Sequence, residues 1–208
     1  NEIVQGINSA NDSMNSIAGS SSGVLSAEQI EKLNQEFDKF KNLMRSNIND
    51  VRNQGYPDLR LVSDMANQAL TMNEKATELY QVARENSGTT TTPRVEAARS
   101  AAVKMAQMMA KYSVRTNSSV SQTFQGSATE TPLDEQAREL DALLESVMQG
   151  QGSPELSAAF NNISSKWQFI RGSYINYNEK NVGFVIDRYS KGILKGLANA
   201  IELLQGNA

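Results

Sequence analysis

The 208-residue chain has no histidine, no cysteine, only 4 prolines and one tryptophan, and aromatic residues make up 6 % of it. Without cysteine there is no disulfide framework, and without cysteine or histidine the usual ligand sets of structural zinc are excluded, so no metal is expected. Without histidine, Ser-His-Asp, Cys-His and other imidazole-based general-base chemistry is excluded as well. Carboxylate-only catalysis is the one route left, and no acidic residues are spaced for it. The expectation is therefore a protein that is not an enzyme, with no catalytic residue and no cofactor. No run of about 18 apolar residues occurs, so no membrane span is expected within the chain. Lys and Arg number 20 against 23 Asp and Glu, a net charge of −3, which argues against nucleic acid as a partner. The sequence opens on Asn1 with no signal-peptide pattern, which leads to the expectation of a processed chain or a piece of a longer one.

What fills the chain instead is amide and hydroxyl: 20 Asn, 14 Gln and 23 Ser. Apolar residues recur at helical spacing nearly throughout. Ile3, Ile7, Ala10, Met14 and Ile17 mark a short first helix, broken by the Gly19–Gly23 stretch. Ser26 and Gln29 form a capping-box pattern, and Ile30, Leu33, Phe37, Phe40, Met44, Ile48 and Val51 carry the next helix to Gly55. Pro57 is placed in the first turn of a third helix, which runs through Leu59, Val62, Met65, Ala69, Met72, Leu79 and Tyr80. Pro93 opens a fourth, with a stripe of Val95, Ala98, Ala102, Met105, Met109 and Tyr112. A polar stretch, 117–131, is expected to be a frayed extension and a loop. Leu133, Ala137, Leu140, Leu144 and Val147 then mark a fifth helix, and Ser153-Pro154 starts a sixth carrying Leu156, Phe160, Ile163, Trp167, Ile170, Tyr174 and Tyr177. After a break near 178–181, Val182, Ile186, Tyr189, Ile193, Leu197, Ile201 and Leu204 mark the last helix. No β pattern competes. The fold class is all-α, an elongated bundle of about six or seven helices crossing at shallow angles.

The corner Gly55-Tyr56-Pro57-Asp58-Leu59 parallels Gly152-Ser153-Pro154-Glu155-Leu156. Either a three-helix unit is duplicated, or a good helix corner arose twice. The duplication plan is one helical domain over 1–208, made of an N-terminal helix and linker (1–22), a first trio (26–115) and a second trio (131–206).

With these residues placed, the order of elements resembles the PilJ-type helical sensor domain, the extracytoplasmic domain of some bacterial chemoreceptors and sensor kinases. The resemblance covers roughly Gln29 to Leu204. It rests on the two corners, on Lys166-Trp167-Gln168-Phe169-Ile170 followed by Asn176-Tyr177-Asn178-Glu179, and on Gln107-Met108-Met109-Ala110-Lys111, where Gln107, Met109, Ala110 and Lys111 match the family segment. It implies a periplasmic or extracytoplasmic sensor of chemotaxis or type IV pilus-type signalling that binds a small ligand or anion and pairs as a homodimer. Ser100, Ala101, Ala102, Val103 and Met108 stand where the family segment carries glycine and arginines. Family members that bind a small oxyanion would hold it with those arginines, so this part of the resemblance does not carry over.

The candidate ligand-binding residues are Arg99, Gln107, Lys111 and Phe169. Arg99 lies beside Ala98 and Ala102, and its guanidinium can hold a carboxylate or small anion bidentately, or sit on a solvated helix edge. Gln107 suits a polar pocket or a helix boundary. Trp167, Phe169, Tyr174 and Tyr177 read either as an aromatic cage for a cation or as core, with Phe169 alone off the stripe. Recognition of a ligand is the leading expectation. The alternative is a secreted or periplasmic structural or protein-interaction helical protein, partnered by a receptor or envelope protein and without a small-molecule ligand.

Overall fold

The computed structural model describes residues 2–21, 23–117, 131–177 and 182–206, and the fold is all-α. The described residues form α1 (Glu2–Ser20), α2 (Ala27–Gln54), α3 (Leu59–Ser87), α4 (Pro93–Asn117), α5 (Leu133–Met148), α6 (Pro154–Ile175) and α7 (Gly183–Gly206). The polar stretch (118–130), with Val120 and Phe124, and the break at 178–181 lie outside the described residues.

The expected caps mostly form. The Ser26 hydroxyl accepts from Gln29 N–H while the Gln29 amide oxygen accepts from Ser26 N–H, so two orphan donors at the start of α2 are satisfied reciprocally. Ser153 caps α6 with a single hydrogen bond, its hydroxyl accepting from Leu156 N–H, with Pro154 in the first turn. The corner after α2 departs from expectation. Gly55 ends the helix in the left-handed conformation (φ 83°), Asp58 is the cap, accepting from Arg60 N–H, and Pro57 falls just before it rather than inside the first turn.

The chain divides into two compact units, 1–90 and 91–208. In the first, α2 and α3 form an antiparallel hairpin, and α1 packs on α2. Gln68 on α3 donates to the Glu36 carbonyl and carboxylate, Asn47 on α2 donates to the Leu61 carbonyl, and Asn86 ties the end of α3 to the Val24 carbonyl. Within 27–87 only Leu33, Phe37 and Asn47 are buried, and α3 buries no residue fully.

The second unit is an up-down-up-down four-helix bundle in which α4 packs on α5 and α7, and α6 packs on α5 and α7. Its core is continuous from Ala98 to Ala200, with Met105, Leu140, Ile163, Ile193 and Leu197 at 0 % exposure. Opposite charge assists this pairing. Five basic side chains stand against one acidic on α4 and five acidic against one basic on α5, and Lys104 meets Glu139 at 2.6 Å.

This packing corrects the three-plus-three plan. The α4 helix, expected to complete a first trio over 26–115, closes the four-helix unit instead, because α5, α6 and α7 leave one corner open that its small residues Ala98 and Ala101 fill. The two corners are also built differently. The cap is Asp58 in one and Ser153 in the other, which do not correspond in the duplication register. The buried line of α4 runs Val95, Ala98, Ala101, Met105, Met108 and Tyr112, so Ala101 and Met108 take the places expected for Ala102 and Met109. On α7, Ser190 and Ala200 are buried where Tyr189 and Ile201 were expected.

Candidate functional site

The four residues singled out from the sequence do not converge. Arg99 forms an ion pair with Glu96 one turn earlier on α4, at 3.0 Å and half-buried. Glu96 also accepts from the Thr91 hydroxyl, so the arginine completes a local network at the start of its helix. Gln107 is half-buried further along α4. Lys111 donates to the Thr131 carbonyl at 3.0 Å, fastening the approach to α5. Gln136 donates to the same carbonyl at 2.8 Å. Phe169 stands on α6, at the opposite corner of the bundle from α4, 63 % exposed with its ring 4.7 Å from that of Tyr189 on α7.

Arg94, also on α4, works as a clamp. Its guanidinium donates to the carbonyls of Val147 and Gln151 at 2.6 and 2.8 Å and lies over the Phe160 ring. The Val147 carbonyl lies in the last turn of α5, where a cation is favoured by the helix dipole, and Gln151 lies in the loop that follows.

The aromatic-cage reading is resolved by burial. Trp167 and Tyr174 belong to the core, with ring centroids 5.8 Å apart, and Tyr174 meets Tyr112 edge-on at 5.3 Å. The Tyr174 hydroxyl is 2.9 Å from that of fully buried Ser190, so each supplies the hydrogen bond that burial demands of the other. Burial pushes the Tyr174 phenol up, beyond what that hydrogen bond offsets.

The most developed polar arrangement on the unit involves residues the sequence reading did not single out. Asp141 on α5 accepts from the Trp167 indole N–H at 2.7 Å and from Arg171 Nε at 2.9 and 2.8 Å, with Arg171 Nη2 at 2.7 Å. Trp167 and Arg171 are four residues apart on α6, hence on one face, while Leu140 beside Asp141 points into the core. Burial acts to raise the Asp141 pKa, but the hydrogen bonds from Arg171 and Trp167, with the charges of Arg171 and Arg138, outweigh it and hold the carboxyl below its ordinary value. The signal was present as an acidic residue following a stripe leucine and an arginine one turn after the only tryptophan, but cross-helix pairing is not visible in one dimension.

This cluster forms one wall of a cleft of about 530 Å³ between α5 and α6, also lined by Leu144, Glu145, Met148 and Gln168. Its floor is apolar and its rim carries two carboxylates and one guanidinium already engaged with Asp141. A smaller cleft of about 290 Å³ lies between α4 and α7, where Met109, Tyr112 and Asp187 meet exposed Phe184. Both are grooves on a bundle whose centre is filled by side chains at 0 to 7 % exposure.

No protein-family model, curated protein or solved structure matches this chain.

Proposed function

We propose that this chain acts by recognition and not by catalysis, as a helical protein-interaction module whose four-helix unit is a fixed scaffold presenting surface groups to a protein partner. The carrying observation is the contrast between a filled interior and a large aromatic left outside. Met105, Ile163 and Leu197 close the bundle centre, while Phe169 keeps 63 % of its surface exposed against Tyr189. An exposed aromatic braced by a half-buried one on the neighbouring helix is the kind of anchor that dominates binding energy at protein interfaces. The missing histidine and cysteine support the non-enzymatic part of this reading. Capture of partners from a bacterial envelope extract tests it. The wild-type chain is expected to retain a partner that Phe169→Ser loses with its helicity unchanged, and equal capture by both sinks the assignment to this face.

A second reading, an extracytoplasmic sensor domain of bacterial signal transduction like those the sequence resembles, draws on the α5/α6 cleft. Its acidic rim and apolar floor favour an amphipathic ligand bearing an amine over an inorganic anion, since Arg171 is held by Asp141. A thermal-shift screen with amino acids, organic acids, purines and anions tests this. A shift produced by amines and abolished by Glu145→Gln supports the sensor reading, and no shift from any compound removes it.

A further inference from the structure

We infer that the partner of the Phe169 face is an acidic amphipathic helix, laid along the outer seam between α6 and α7 with its carboxylates on Lys166, Arg188 and Lys195 and an apolar side chain on the Phe169 ring. The inference rests on the protein-partner reading of that face and adds the chemistry of the partner.

The seam is built from two short rows. Lys166 and Phe169 are three residues apart on α6, and Arg188, Gly192 and Lys195 follow one another at spacings of four and three on α7, so each row shares one side of its helix. Two contacts bring the rows together. The Phe169 ring lies 4.7 Å from that of Tyr189, and a Cβ on Gly192 would stand 2.9 Å from Lys166 Cε. The missing side chain at Gly192 is therefore what lets the Lys166 stem lie across α7, with its ammonium donating to the Asn162 amide oxygen.

Charge says what lies on this seam. The chain has a net charge of −3, yet α6 and α7 together carry five basic side chains and three acidic. Arg171 is paired with Asp141 on the α5 side, and Lys191 with Asp187. Lys166, Arg188 and Lys195 meet no carboxylate among the described residues. The two remaining acids, Glu155 and Glu202, stand 14 and 13 residues from Phe169 and Tyr189, about 20 Å along the helix axes. The seam is thus a positive strip on an acidic chain, and negative charge on a partner both steers it there and fixes its register.

Spacing says what form the partner takes. Arg188 and Lys195 are seven residues apart, two turns or about 10.5 Å, so carboxylates at i and i+7 of a helix lying alongside α7 meet both. An anionic lipid surface would also meet the cations, but it rewards several apolar side chains projecting together. Phe169 is the single large apolar side chain exposed on α6, among Asn162, Ser165 and Gly172. Phe184, the other exposed ring of this helix pair, borders the α4/α7 cleft instead.

The probe is a displayed library of helical peptides of about 16 residues, randomised on one face and selected on the immobilised full chain. Enriched peptides are expected to carry Asp or Glu two turns apart around an apolar residue. They are expected to bind with a micromolar Kd that rises as salt exceeds about 0.15 M. Phe169→Ser, and separately Arg188→Gln with Lys195→Gln, are each expected to weaken binding about 10-fold or more, with helicity by circular dichroism unchanged. Enrichment of neutral or basic peptides, or peptides lost by Phe169→Ser but indifferent to the charge variant, overturns the acidic partner and leaves the Phe169 reading in place. Peptides indifferent to Phe169→Ser overturn both, and no enrichment overturns the inference. Flotation with vesicles of phosphatidylcholine and phosphatidylglycerol is expected to leave the chain behind. Co-flotation that the charge variant abolishes assigns the strip to a lipid surface and overturns the inference as well.

Discussion

Residues 27–87 and residues 93–206 are built from the same material, amphipathic helices of 16 to 29 residues, yet they bury their stripes to very different degrees. Among the described residues, the buried apolar side chains are Leu33 and Phe37 in the first unit and twenty-one in the second. Periodicity supplies a stripe, but only enclosure on all sides takes it out of water, and the α2/α3 hairpin, with α1 packed on α2, leaves most of its stripes half-buried. Each Leu, Ile or Met fully buried contributes about 1.5–3 kcal/mol that a half-buried one gives only in part. The second unit therefore has a large favourable term that the first has only in small part.

The sharpest way to break this comparison is truncation at matched chemistry. Leu197→Ala in the four-helix unit, at 0 % exposure, is expected to cost about 3–4 kcal/mol in urea unfolding, while half-buried Leu61→Ala in the hairpin costs about 1. Equal losses would mean that the hairpin is enclosed after all. Native-state hydrogen exchange sharpens the same point. Amides in the middle of α2 and α3 are expected to exchange at least 10-fold faster than those of α5 and α6.

A smaller effect separates surface polar clusters from the core. Asp141→Ala removes the acceptor shared by Trp167 and Arg171 and is expected to lower stability by about 1–2 kcal/mol near neutral pH. The Asp141 pKa is depressed in the folded state, so its stabilisation is present above the ordinary carboxylate value of 3.8 and is lost as pH falls through the lower, folded value. Melting curves of the wild type and variant are expected to converge on acidification below about pH 4, and a constant gap would assign the loss to packing. The smallest effects compare two helical glycines. Gly172→Ala meets nothing within 4 Å and is expected to stabilise by about 0.5–1 kcal/mol. Gly196→Ala gains nothing, because its new Cβ would lie 2.7 Å from Ile163 Cγ1.

The legible part of the fold was local. The stripes of α5 and α6 are buried as spaced, from Leu133 to Val147 and from Leu156 to Tyr174. Ser26, Gly55 and Ser153 act at the helix ends where their chemistry places them. Choices within a stripe were not legible. Ala101 and Ala102 differ by 100° around α4, and which one is buried depends on where α5 and α7 stand. Ser190 reads as polar surface until Tyr174 offers its hydroxyl from the next helix. The candidate site was least legible of all. Arg99 is engaged by Glu96 on its own helix, and Asp141 acquires its place only when α5 lies against α6.

The sequence by itself determined that the chain is helical, where most helices begin and end, and that histidine- and cysteine-based chemistry is absent, because capping, periodicity and side-chain inventory act within a turn or two of chain. Tertiary structure alone decided that α4 belongs with α5 to α7, that Phe169 and the α4 candidates face different corners, and that one unit closes its core while the other leaves most of its stripes half-buried. Those outcomes depend on packing between residues tens of positions apart, where several partners satisfy the same stripe and only filled volume and matched charge choose among them.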